Sequence, residues 1–203
     1  MDLNLSVFQE PRGVMRIFHF VFAIVAFATT VDFSKSIMVN CDGTENEFII
    51  DYPFDVTEEK IFANCTVTLY GNFSSDAKFY VCTGVLSMLY AAAILVIYTK
   101  FDQMYRDNEN LPLIDFILSV ILSIFWLSSS AAWANGLSGL KSAVGNLNIM
   151  EGCHCTSSGI GFSSLNISIV VGFLNFFLWA SNLWFLYKET KWFQKPVPSS
   201  PAI

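Results

Sequence analysis

Four stretches of the chain stay apolar for about twenty residues each: Val14–Val31, Phe79–Tyr98, Leu113–Ala134 and Leu165–Tyr187. A helix needs about 20 such residues to cross the roughly 30 Å hydrocarbon core of a bilayer. The pattern therefore predicts four membrane-spanning helices. Between them lie a long connection at 32–78, a short polar one at 99–112 and a medium one at 135–164. The long connection has a different rhythm. "FIIDYPF" and "CTVTLYG" are short β-branched and aromatic runs separated by a charged turn, which predicts a small hairpin or sheet. "GNFSSDAKF" then leads into the second span, with Ser74 or Ser75 as its cap. The expected fold is an all-α membrane protein. A four-helix domain over 14–192 carries a small, partly β loop, between an N-terminal segment 1–13 and a tail 193–203.

Composition points the same way. The 203 residues are 54% hydrophobic and 14% charged, where a soluble domain is about a quarter charged. Nine of the seventeen acidic residues fall between Asp32 and Asp76, so the net charge of −6 belongs largely to one loop. Nothing is basic enough for nucleic acid. Lysine and arginine set the orientation. Arg12, Arg16, Lys100, Arg106, Lys188, Lys191 and Lys195 share one side; Lys35, Lys60, Lys78 and Lys141 share the other. That bias predicts cytosolic termini and two lumenal or exterior loops. A rival reading takes residues 1–28 as a signal peptide ending at Ala26-x-Ala28. Its apolar run is too long for a signal core, and cleavage would leave three spans with the C-terminal lysines on the opposite side.

On this topology the lumenal loops hold four cysteines. A Cys41–Cys65 bridge would stabilise the first loop by roughly 3 kcal/mol. Cys153 and Cys155 are two residues apart, so they form either a strained local bridge or pairs across the loops. "CHC" around His154 lacks a second ligand pair, which argues against a metal site. Cys82, inside the second span, is expected to be a packing residue. Of the sequons, Asn4 is cytosolic and Asn166 too near the membrane. Asn64 and Asn72 remain as glycosylation candidates, Asn64 the better placed.

The spans carry a few polar side chains. Arg16 is expected to snorkel to the interface and His19 to lie near the headgroups. Asp115 is expected to cap or pair with Arg106 or Lys100. A proton relay would need a second buried acid. Asn175, Trp179 and Asn182 fall on one face of the fourth span, which predicts a face turned into the bundle or towards a partner helix. Ser128, Ser129 and Ser130, between Trp126 and Trp133, read as a seam of close helix packing. Trp126 should pack in the bundle and Trp133 should join an interfacial aromatic belt. Val96-x-Tyr98-x-Lys100 and Arg16-x-Phe18 followed by Val21 match loose cholesterol patterns. There is no phosphate loop, no HExxH and no nucleophile elbow, so no enzyme is predicted. No cofactor is expected beyond bound cholesterol or other lipid.

"FAIVAFATT", "YPF", "GNFSSDAKFYV", "LPLIDF", "FWLSSSAAWANGL" and "LNISIVVGFLNFFLWASNLWFLYKET" occur in that order across residues 9–192. As a set, they resemble the synaptophysin family, four-span vesicle proteins of the MARVEL class. The short tail after Lys191 lacks long Tyr/Gly/Pro-rich repeats, which shifts the likeness towards a broadly expressed, short-tailed branch. Asn135 stands where the family tends to have lysine, and "CHC" is more compact than its usual cysteine pair. The resemblance implies residence in secretory or synaptic-type vesicles. It also implies a role in trafficking and regulated exocytosis, cholesterol association, homo-oligomers and contact with a vesicle SNARE such as synaptobrevin. The alternative weighed against it is an oligomeric channel or pore. A junctional adhesion protein lacks support, because the first loop has no claudin-type or connexin-type pattern.

Overall fold

Proline at a helix start loses no hydrogen bond and brings a preset φ. Pro11 opens α1 (Pro11–Val31) in this way, in the computed structural model, which describes residues 11–62, 65–101, 110–150 and 152–189. The chain continues through β1 (Ser34–Cys41), β2 (Thr44–Asp51), β3 (Glu58–Phe62) and β4 (Cys65–Leu69). Then come α2 (Ser74–Lys100), α3 (Asn110–Gly145), β5 (Asn148–Ile149), β6 (Cys155–Ser157) and α4 (Ser163–Glu189). All four helices are long and apolar enough to cross a membrane. Each helix packs on two others: α1 on α2 and α4, and α3 on α2 and α4. They form a ring, with α1 and α3 across its diagonal. The outer faces carry exposed Val21, Leu89, Ile124, Val170 and Phe177, an apolar girdle suited to lipid.

The strands build a cap on one end of the bundle. β1 and β2 form a hairpin closed by Asp42–Gly43, both at positive φ (50° and 84°). That is the backbone a two-residue turn needs to match the strand twist. β6 adds to the other edge of β1, giving the order β2-β1-β6. The second sheet has the order β3-β4-β5. The expected β runs therefore do not pair with each other. "FII" belongs to β2 and pairs with β1; "CTVTL" is β4 and pairs with β3. Each sheet borrows its third strand from the connection before α4.

Two disulfides tie the borrowed strands down: Cys41–Cys155 and Cys65–Cys153. This corrects the expected Cys41–Cys65 bridge and realises the pairing across loops. Opposite strands in register explain the first, since Cys41 and Cys155 are partners in the β1–β6 ladder. All four sulfurs are used, so "CHC" has no thiolate for a metal. Cys82 is free and exposed on the outer face of α2, not a core-packing residue.

Two helix ends differ from expectation. α3 runs to Gly145, past the predicted end at Ala134. At about 1.5 Å per residue its 36 residues extend well beyond a bilayer core. Apolar density falls after Ala134, but helical spacing persists: Trp133, Leu137 and Leu140 are buried, while Asn135, Ser138 and Lys141 face out. The extra turns support the cap. At the start of α2, Phe73 occupies the N-cap position, not Ser74 or Ser75. The Ser74 N–H and hydroxyl both donate to Asn72 Oδ1, at 3.1 and 2.7 Å.

The cap and bundle share one core. Phe54 is buried with its ring 5.0 Å from that of Trp133 and 6.0 Å from that of Phe33. Around it lie Ile37, Val39, Phe48, Ile50, Val67 and Leu69 from the strands.

Candidate functional site

Away from the cap, the bundle interior turns polar. Arg16 on α1 and Asp115 on α3 are both buried and form an ion pair. The pair crosses the diagonal of the ring. Arg16 Nη2 also donates to Ser119 Oγ at 3.1 Å. The Tyr90 hydroxyl donates to Asp115 Oδ1 at 2.6 Å, and the Tyr98 hydroxyl to Oδ2 at 2.5 Å. Ser119, one turn along α3, donates to Asp115 Oδ1 at 3.4 Å. The guanidinium carbon lies 5.5 Å from the Tyr90 ring centroid and 5.2 Å from that of Trp179 on α4. His19 stacks on Trp179, with centroids 4.0 Å apart and planes 10° apart. All four helices thus meet at one polar core.

A charge in a low-dielectric interior is costly unless paired and fully hydrogen-bonded. Here the carboxylate accepts from the guanidinium, two phenols and a serine, and the cation is sandwiched by aromatic faces. The arrangement neutralises itself. Asp115 is the sole buried acid among the described residues. Its chemistry is that of a lock between helices.

Several expectations change accordingly. Arg16 does not snorkel; it is fully buried. Tyr98 is buried with it, so neither presents a cholesterol motif to lipid, whereas Phe18 and Lys100 are exposed. His19 is buried inside the bundle. Asp115 takes Arg16 from another helix as its ion-pair partner, and Lys100 points outward. Arg106 lies outside the described residues.

The α4 face does point inward. Asn175, Trp179 and Asn182 are all fully buried, and Asn175 Nδ2 donates to the Phe22 carbonyl of α1 at 3.1 Å. In the serine run, Ser129 and Ser130 are buried but Ser128 is exposed and bonds back to the Ile124 carbonyl at 2.9 Å. Helical rotation separates them: only two of three consecutive residues fit one face. Trp126 packs inside, edge-on to Tyr80. Trp133 is also fully buried rather than in an interfacial belt, its indole N–H donating to Ser168 Oγ at 3.0 Å. The continuing α3 and the overlying cap explain its burial.

Sequence reasoning missed Tyr80, Tyr90, Ser168 and Gly172. The Tyr80 hydroxyl donates to the Ser168 carbonyl of α4. A Cβ on Gly172 would lie 2.5 Å from Ser130 Oγ and 2.7 Å from the Tyr80 ring, so α2, α3 and α4 meet there without a side chain between them. The available signal was the spacing of Tyr80, Thr83, Ser87, Ala91, Ile94 and Tyr98 along one stripe of α2.

At the cap, Asn72 is exposed, and its amide oxygen is the acceptor for Ser74. Asn64 lies outside the described residues. Asn166 Oδ1 accepts from Lys141 Nζ at 2.6 Å.

A buried polar lock inside four lipid-facing helices is the organisation of a multi-pass membrane protein. A family model described as MARVEL, a membrane-associating domain, matches residues 8–185. That match includes both sheets, α1 to α3 and α4 as far as residue 185, and the chain belongs to the MARVEL family.

Proposed function

We propose that this chain is a synaptophysin-family protein of the pantophysin-like kind, resident in the membranes of secretory or synaptic-type transport vesicles. Both termini face the cytosol and the cap faces the vesicle lumen. Its work is non-enzymatic. As a homo-oligomer it organises vesicle lipid, cholesterol included, and engages a vesicle SNARE of the synaptobrevin type during trafficking and regulated exocytosis. The observation that carries this reading is the ordered set of motifs from "FAIVAFATT" to the final span, inside a chain that belongs to the MARVEL family. The cystine-tied cap supports the orientation, because disulfides persist in an oxidising lumen.

The channel reading is confined to an oligomeric route. Trp126, Trp133 and Trp179 fill the interior of the bundle, so a conducting path would have to run between copies. Proximity labelling from an enzyme fused to the C-terminus tests the proposal. It predicts enrichment of vesicle membrane proteins, a vesicle SNARE among them. Enrichment of plasma-membrane junction proteins with no vesicle co-purification would contradict it.

A further inference from the structure

The polar core holds more donors than its protein acceptors use. Arg16 Nη2 is committed to Asp115 and Ser119, but Nε and Nη1 meet no hydrogen-bond acceptor among the described residues. Trp179 Nε1 and Asn182 Nδ2 likewise meet no acceptor, Asn182 Oδ1 meets no donor, and the His19 ring, with the Leu178 carbonyl nearby, makes no close hydrogen bond through either nitrogen. All four side chains are fully buried. The antiparallel register of α1 and α4 sets Asn175 against Phe22 and Trp179 against His19, which brings Asn182 level with Arg16. These atoms therefore gather along one helix–helix seam, apart from the unpartnered Trp126 Nε1, Ser129 Oγ and Ser130 Oγ of α3.

Lipid tails offer them nothing. Asp115 already balances the charge of Arg16, so the seam calls for a neutral ligand. It presents donors from Arg16, Trp179 and Asn182, together with acceptors from Asn182 Oδ1 and one His19 nitrogen, so the ligand must both accept and donate. Full burial requires it to be small. Water meets all three conditions, and buried waters typically make about three hydrogen bonds to such groups. We propose that the α1–α4 seam is a buried water-binding site, in which a small cluster bridges Arg16 to Asn182 past Trp179. α1 and α4 are thus joined by exchangeable hydrogen bonds. The site does not depend on the vesicle reading.

X-ray radiolytic footprinting of the full chain in lipid nanodiscs tests it, with a scavenger removing bulk radicals. Radicals formed from bound water oxidise the side chains beside it. Trp179 should be oxidised several-fold faster than Trp133, which is equally buried but has its indole N–H bonded to Ser168. Asn182→Leu should lower Trp179 oxidation several-fold and leave Trp133 unchanged. Equal rates at Trp179 and Trp133 in the unmodified chain overturn the proposal without any variant having to fold. Undiminished Trp179 oxidation in folded Asn182→Leu overturns the bridge.

Discussion

Asp115 shows how much one side chain decides in this bundle. Removing one partner of a buried ion pair leaves the other charge stranded, at a cost of about 3–5 kcal/mol, whereas replacing both with apolar groups is often close to neutral. Asp115→Asn should therefore lower unfolding stability in detergent by about that amount. The double variant Arg16→Met/Asp115→Leu should recover most of it, and additive losses would show that the two side chains do not act as a pair. Gly172 and Ser130 give a second test by size. Gly172→Ala places a methyl 2.5 Å from Ser130 Oγ and should cost about 1–3 kcal/mol, as overpacking does. Ser130→Leu should disturb the bundle in the same way. Ser128→Leu should not, since Ser128 faces outward; thermal unfolding of the two serine variants separates the faces.

At the scale of elements, the four helices were legible because each span's length and apolar run are dictated by the bilayer itself. Their partners were less so. Arg16 and Asp115 are far apart in sequence, and each looked like an interfacial residue on its own helix. Their pairing depends on helix order around the ring, which periodicity does not carry. The inward face of α4 was readable, because Asn175, Trp179 and Asn182 repeat on one stripe. The cap was half legible. β-branched runs marked two of its strands, but β5 and β6 are two and three residues long and exist only through pairing with β4 and β1. The cysteine connectivity follows from that pairing, so sequence spacing alone led to Cys41–Cys65. Cys41→Ser should leave Cys155 as a free thiol and the Cys65–Cys153 link intact. Non-reducing peptide mapping reads this directly, and a scrambled Cys65–Cys155 product would contradict the strand register.

For the whole molecule, the cap, the four-helix ring and the polar lock form one unit, which the proposed function puts in a vesicle membrane. The cap end should lie inside the vesicle and the opposite end outside. Protease treatment of sealed, immuno-isolated vesicles, followed by non-reducing mass spectrometry, tests placement, orientation and connectivity together. The account predicts that an epitope on the tail is removed from outside. It also predicts that cystine-linked peptides joining Cys41 to Cys155 and Cys65 to Cys153 are recovered only after the vesicles are opened. Cap peptides released from intact vesicles with the tail epitope protected, or absence of the protein from the vesicles, would contradict it.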